Sequence, residues 1–259
     1  MRYPLVALLC AAPLAAQAPA GLARAALDNP AFTWLHVPTR ELRLYFLADS
    51  YPAMHRDSLA TLAAAGRARG LRLLGVEDCP PIDVFFIETR AQMDALVGLP
   101  VTGFAQRDAR AVFLVTNPEW RAFERHELMH VLAHHVWGAG VEPSAWIVEG
   151  LAQFTDGRCG AYTVDDVAHG LGRRSGFVAL DTLVTRFRAL NDLTAYLQAA
   201  SMVGYLYETR GLEGVRAVWQ QGTEALPPGF AAGWQRWLRT RAQPVPSGAL
   251  DSISQKGCG

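Results

Sequence analysis

The stretch RHELMHVLAHH (Arg125–His135) carries four of the chain's seven histidines and sets His126 and His130 around Glu127 in the order His-Glu-x-x-His. On a helix, residues four apart lie about 40° apart around the axis and about 6 Å along it, so both imidazoles project from one face and can reach one divalent ion. Imidazole suits zinc, at bonds of about 2.0–2.1 Å. Glu127, next to a ligand in sequence, points beside the ion rather than at it, where a general base acting on water must stand. The pattern arises by accident on the order of once in a hundred chains of this composition. Two imidazoles are also not enough, because a catalytic zinc needs a third protein ligand and one open position.

WIVEGLAQF (Trp146–Phe154) supplies a candidate third ligand, Glu149. The 18 residues between His130 and Glu149 leave room for the rest of one helix, a turn at Gly138-Ala139-Gly140 and entry into a second helix. With these residues the chain resembles the gluzincin metallopeptidases, the thermolysin-like superfamily also called peptidase MA. The x-x-Glu-Gly context after a Trp is most similar to the aminopeptidase-N branch and its bacterial relatives. The resemblance implies Zn2+ held by His126, His130 and Glu149, with Glu127 as general base. It also implies a tyrosine that steadies the oxyanion. Of Tyr196, Tyr205 and Tyr207, Tyr196 in Tyr-Leu-Gln-Ala matches best, and a hydroxyl there would contribute a few kcal/mol to lowering the barrier. ARAVFLV (Ala109–Val115) stands in the place of the edge strand that pairs with extended substrate in this superfamily. The Gly-x-Met-Glu-Asn motif of the aminopeptidase-N branch is missing upstream, so aminopeptidase activity is not supported.

The elements that must position these groups are legible in outline. Residues 19–40, with Pro30 and Pro38, read as an irregular lead-in. LRLYFLAD (Leu42–Asp49) and IDVFFIET (Ile82–Thr89) read as strands, with a helix over Ser58–Gly75 between them. Thr89 caps a short helix. Val101–Ala105 and Ala109–Val115 flank a polar turn at Gln106-Arg107-Asp108 and read as a hairpin. Asn117-Pro118 opens the histidine helix, with Asn as N-cap and Pro in the first turn. A second helix starts near Pro143-Ser144, and from Asp165 onward the pattern is mostly helical. The fold class is therefore α+β. In the terms of the resemblance it is a thermolysin-like zincin core, a small mixed sheet with active-site helices, followed by a helical C-terminal part. The expected division is 1–18 signal peptide, 19–140 strand-bearing part ending in the zinc helix, 141–242 helical part with the third ligand, and 243–259 loose tail.

The remaining candidates have plainer readings. His134 drifts past the ligand face and reads, with His135, as packed or solvent-facing. Gln153, one turn after Glu149, is placed to orient a ligand through a hydrogen bond or to lie on the surface. Asp156 reads as a helix-end or loop residue. The tryptophans at helical spacing read as core.

Composition narrows the class. In 259 residues, 51% are hydrophobic and 19% charged, with basic and acidic residues balanced at 24 each, so nothing points to a nucleic-acid partner. MRYPLVALLCAAPLAAQAPAG has the layout of a secretory signal, cleaved after Ala16 or Ala18, too short and Pro-broken to span a bilayer. A lipoprotein anchor at Cys10 is disfavoured by the bulky Leu9 before it. The expectation is a secreted or periplasmic protein with no integral membrane span. Of Cys79, Cys159 and Cys258, two can pair in an oxidising compartment. The leading functional reading is a secreted zinc metallopeptidase acting on a peptide or protein substrate. The alternative is a non-catalytic, zinc-containing envelope protein that binds peptides or partners, which would have no need of Glu127.

Overall fold

In place of the irregular lead-in, residues near the N-terminus form helix α1 (Gly21–Asp28) and strand β1 (Trp34–Pro38). The computed structural model describes residues 20–120, 124–138, 141–190 and 193–258, so the expected signal and Cys10 lie outside the described residues. Strand β2 (Leu42–Leu47) is followed by a short helix α2 (Tyr51–Met54) and the long helix α3 (Arg56–Leu74), which Gly75 closes in the left-handed conformation. Strand β3 (Ile82–Ile87) leads to α4 (Arg90–Val97), where Thr89 and Gln92 form a capping box. Strands β4 (Gly103–Gln106) and β5 (Ala111–Val115) form the expected hairpin.

The sheet order is β1-β2-β3-β5-β4. The β2–β3 and β3–β5 pairs are parallel, and β1 and β4 lie antiparallel at the two edges. The architecture is a small mixed sheet with helices on both faces. The alternation of β3 shows why all six of its residues are buried. Ile82, Val84 and Phe86 join the apolar cluster that includes α3, while Phe85 and Ile87 join Ala23 and Ala26 of α1 and Met93 and Leu96 of α4. A strand covered on both faces reads as a continuous apolar run. Its one charge, Asp83, is fully buried and is held bidentately by Arg43 of β2 at 2.6 and 2.8 Å, which satisfies the carboxylate.

One expectation about the hairpin is corrected by this order. ARAVFLV is an interior strand, because β5 pairs with β3 on one side and β4 on the other. The edge strand is β4. The strand with the longer apolar run is the one both of whose sides are covered.

Two helices then carry the candidate ligands, α5 (Glu124–Trp137) and α6 (Ala145–Asp156). The start of α5 differs from the expected Asn117 cap. Asn117 Oδ1 instead accepts from the backbone N–H groups of Glu119 and Trp120, each at 2.9 Å, and its Nδ2 donates to the Glu88 carbonyl. An Asn that satisfies its own turn in this way is not available to cap a helix. Helix α5 lies on α3 because α3 presents glycines there. A Cβ at Gly70 would come within 2.5 Å of Leu132 Cδ1, and one at Gly66 within 3.2 Å of Arg125 Cγ.

Beyond α6 come a two-residue hairpin, β6 (Arg158–Cys159) and β7 (Tyr162–Thr163), then α7 (Val164–Ser175) and α8 (Leu180–Leu190). Helix α9 (Leu193–Gln221) is interrupted at Gly211 (φ 65°, ψ −170°). A short 3₁₀ turn and α10 (Phe230–Arg241) come next. The main apolar cluster is continuous from Leu42 in the sheet to Leu238 in α10. Among the described residues, no helix is long and apolar enough to cross a membrane.

The expected loose tail holds helix α11 (Ser247–Lys256), whose Leu250 and Ile253 pack on Val164, Val167 and Leu171 of α7. A disulfide between Cys159 and Cys258, 99 residues apart in sequence, anchors it, and Cys79 is a buried free thiol. A cross-link closing so long a loop stabilises chiefly by restricting the unfolded chain. Reducing it is expected to cost about 2–5 kcal/mol. Chemical denaturation with and without reductant measures the difference.

Candidate metal centre

Helix α5 projects His126 and His130 from one face, as their spacing requires, and α6 brings Glu149 against them. Glu149 Oε2 lies 3.3 Å from His126 Nε2 and 3.4 Å from His130 Nε2. The two imidazole rings stand 4.8 Å apart and nearly perpendicular, at 82°. One ligand atom from each of the three residues falls within 4.8 Å of the other two. All three side chains are largely buried.

Helix α6 can sit this deep because Gly150, beside Glu149, faces α9. A Cβ there would lie 2.9 Å from the Ala199 carbonyl oxygen. Backbone atoms cannot yield as a side-chain tip can, so this glycine sets how closely α6 and α9 approach.

The electrostatics are those of a site with more charge than water to solvate it. Burial pushes the His126 ring down, but the Glu149 hydrogen bond and the charges of Glu127 and Asp156 outweigh it and raise it to about 9. Burial pushes Glu149 up, and hydrogen bonds from both imidazoles overcome this and hold it well below the usual carboxylate range. The positive charge of the protonated His126 ring stands here in place of a cation's. A tetrahedral ion with bonds of about 2.0–2.1 Å holds its ligand atoms about 3.3–3.4 Å apart. Both contacts of Glu149 Oε2 match that spacing, and the donor set of two imidazoles and a carboxylate suits zinc. The residues fit the ion.

Glu127 stands beside the triad against the edge strand. A Cβ at Gly103 of β4 would come within 2.3 Å of Glu127 Oε1 and 2.9 Å of its Cδ, so this glycine leaves the space that the carboxylate occupies. Burial, first of all, pushes Glu127 above the ordinary carboxylate range, and the nearby imidazoles pull it back only in part. Gly103 has no place among the sequence candidates. A glycine inside a strand signals close approach by another group, but which group approaches depends on the place of β4 in the sheet. Gly103→Ala should displace the Glu127 carboxylate and lower turnover about tenfold or more, with little loss of stability. Parallel measurement of kcat and thermal melting checks both halves of that expectation.

Tyr196, on α9, is half-buried, with its ring 4.9 Å from that of Phe187. Its hydroxyl is pushed up to about 12, by burial first and then by the negative charge of Glu149, with a further contribution from Glu127. It therefore lies within electrostatic range of the triad and keeps its proton at neutral pH. Tyr205 and Tyr207 pack elsewhere, against Phe230 and Phe154.

Solved structures similar to this chain include two M1 zinc metallopeptidases and an aminopeptidase N family protein. The M1 zinc metallopeptidase from Deinococcus radiodurans is 16% identical, with a TM-score of 0.41 over 87% of this chain and 49% of that one. A two-domain M1 zinc metallopeptidase variant bound to L-arginine is 13% identical, with a TM-score of 0.33 over 87% and 49%. An aminopeptidase N family protein from Idiomarina loihiensis is 9% identical, with a TM-score of 0.36 over 86% and 46%. The chain spans about half the length of each. No protein-family model matches it, and no curated protein matches it either.

The other candidates take different places. His134 Nε2 lies 3.2 Å from Asp108 Oδ1 in the β4–β5 turn, away from the triad. His135 is exposed. Gln153, one turn beyond Glu149, is buried at 8% exposure rather than on the surface. Asp156 does end α6, as its position suggests, yet its charge is felt at His126. Burial pushes it up to about 6. Seven residues after Glu149, it shares a helix face with that ligand, and this spacing is the signal the sequence offers.

Proposed function

We propose that the chain is a zinc-dependent peptidase of the gluzincin type, built on a thermolysin-like core, in which His126, His130 and Glu149 hold the ion. The observation that carries this reading is the convergence of one Glu149 oxygen on two imidazole nitrogens at 3.3 and 3.4 Å, with the Glu127 carboxylate alongside. The division at 140/141 then separates the half bearing the imidazoles from the half bearing the third ligand. Residues 1–18 serve as an export signal in the same reading.

When bound, zinc supplies Lewis acidity toward a substrate carbonyl and toward the attacking water. The chain's own groups do the rest. Glu127 takes a proton from the water at its carboxylate and returns it to the leaving amine. Its raised pKa, caused by burial, makes it a stronger base than an exposed glutamate. The Tyr196 hydroxyl, protonated at neutral pH, donates a hydrogen bond to the oxyanion. The unpaired side of β4, next to Glu127, suits an extended peptide laid down as an added strand.

A peptide library and an unfolded protein, each offered with stoichiometric zinc, test the reading. Cleavage supports it, whereas bound zinc without hydrolysis would favour a binding protein that keeps the fold. Tyr196→Phe should lower kcat on the order of 10²–10³-fold, with zinc content and KM close to wild type. An unchanged kcat would leave Tyr196 with only a packing role.

A further inference from the structure

A second feature lies beside the triad, at the N-terminal end of α5 and the C-terminal end of α6. A cavity of about 560 Å³ opens there, bounded also by α2, α3 and the turn after β5. None of the triad residues lines it. Its lining includes the apolar Leu59, Leu62 and Trp120 and the polar Thr116, Arg125, Gln153 and Asp156.

These four polar groups have unused bonding capacity. Thr116 is 4% exposed, and its buried Oγ1 has no hydrogen-bond partner among the described residues. Gln153 is 8% exposed, and its amide, the Arg125 guanidinium and the Asp156 carboxylate make no hydrogen bond or ion pair among the described residues. Arg125 and Asp156 sense each other's charge but do not close into a pair. Other charged groups on the wall are engaged. Arg158 donates to the Ala161 carbonyl, and Glu124 has an interaction of its own.

Buried polar groups in native proteins find partners, so Thr116 and Gln153, buried without them beside the partly buried Arg125 and Asp156, mark a place where a ligand or ordered water supplies them. A guanidinium and a carboxylate that line one cavity without pairing with each other fit a ligand that carries a carboxylate and an ammonium together. The apolar lining residues fit that ligand's body. We infer that this cavity binds a small zwitterion, an α-amino acid with an apolar side chain. Its carboxylate meets Arg125, its ammonium meets Asp156, and its side chain lies against Leu62 and Trp120. Thr116 and Gln153 complete the hydrogen bonds. Peptide hydrolysis next door would release ligands of this class, but the inference does not rest on the peptidase reading, because binding here uses no metal.

The probe is L-phenylalanine, titrated calorimetrically into full-length protein stripped of metal by chelation, so that no ion competes for its carboxylate. Saturable binding to the wild type is expected. Arg125→Gln and Asp156→Asn should each weaken it about tenfold or more, the loss of one charge-assisted contact. Phenethylamine, which lacks the carboxylate, should bind more weakly and be indifferent to Arg125→Gln. 3-Phenylpropionate, which lacks the ammonium, should be indifferent to Asp156→Asn. Because the Arg125 stem packs over Gly66, Arg125→Lys keeps charge and stem and should recover most of the affinity. Thr116→Val, nearly isosteric, should weaken binding several-fold. Absence of saturable binding to the wild type, or affinity untouched in both charge variants, overturns the inference. Neither result bears on zinc or peptidase activity, which are measured on the loaded protein.

Discussion

Glu127→Gln should leave zinc content at the wild-type level and lower peptide hydrolysis on the order of 10²–10⁴-fold, the contribution of a positioned general base. The substitution keeps the size of the side chain and its place against Gly103, and removes only the ability to take a proton. Glu127 ligates nothing in this account, so the metal should stay. The carboxylate is buried against the edge strand with little water to solvate it, and a neutral amide suits that place at least as well. Stability should therefore hold or rise. A variant that cleaves at the wild-type rate would take the base's role away from Glu127, whatever the metal content. Loss of both metal and activity would indicate that Glu127 supports the ligands rather than the chemistry.

The second large effect is on the ion itself. His130→Ala or Glu149→Ala removes one of three protein ligands and should lower zinc affinity well beyond the roughly 10–100-fold that loss of a supporting residue costs. Activity should fall in step and return in part at high zinc. The metal-free site adds a pH dependence whose sign is set by His126. Its ring, raised to about 9 by the Glu149 contact, carries a proton at neutral pH that zinc must displace. Zinc affinity should therefore rise with pH toward about 9, and binding at pH 7 should release protons, which calorimetry in buffers of different ionisation enthalpy detects. In the metal-free protein the same group acts on stability in the opposite direction. A histidine with its pKa raised from 6.5 to about 9 contributes stability that is full below about pH 6.5 and is lost as pH rises through about 9. Zinc-loaded protein should lack that decline.

Much of the site is legible in the sequence because its signals are local. Helical spacing alone puts His126 and His130 on one face, and the interval to Glu149 leaves room for one turn between two helices. The structure brings these three together. The β-branched and aromatic run Ile82–Ile87 likewise announces a strand. What the sequence hides depends on contacts between distant segments. β5 looks like the strand nearest the site in sequence, but it is β4 that stands at the edge, because β5 pairs with the distant β3 on its other side. The space at Gly103 is a consequence of that order. Asn117 carries the right residue type for a helix cap, yet its side chain closes a different turn. The C-terminal residues, weakly apolar and Gly- and Pro-rich at their start, gain their helix from packing on α7 and from the Cys159–Cys258 link rather than from propensity. Asp156 looks unremarkable at a helix end, although its spacing from Glu149 puts both on one face.

The zinc content of the purified protein, measured by elemental analysis beside His130→Ala, tests the central claim most directly. The account predicts close to one zinc per wild-type chain and little in the variant at equal protein concentration. Wild-type protein that stays metal-free after equilibration with zinc, or a variant that retains as much zinc as the wild type, would contradict it.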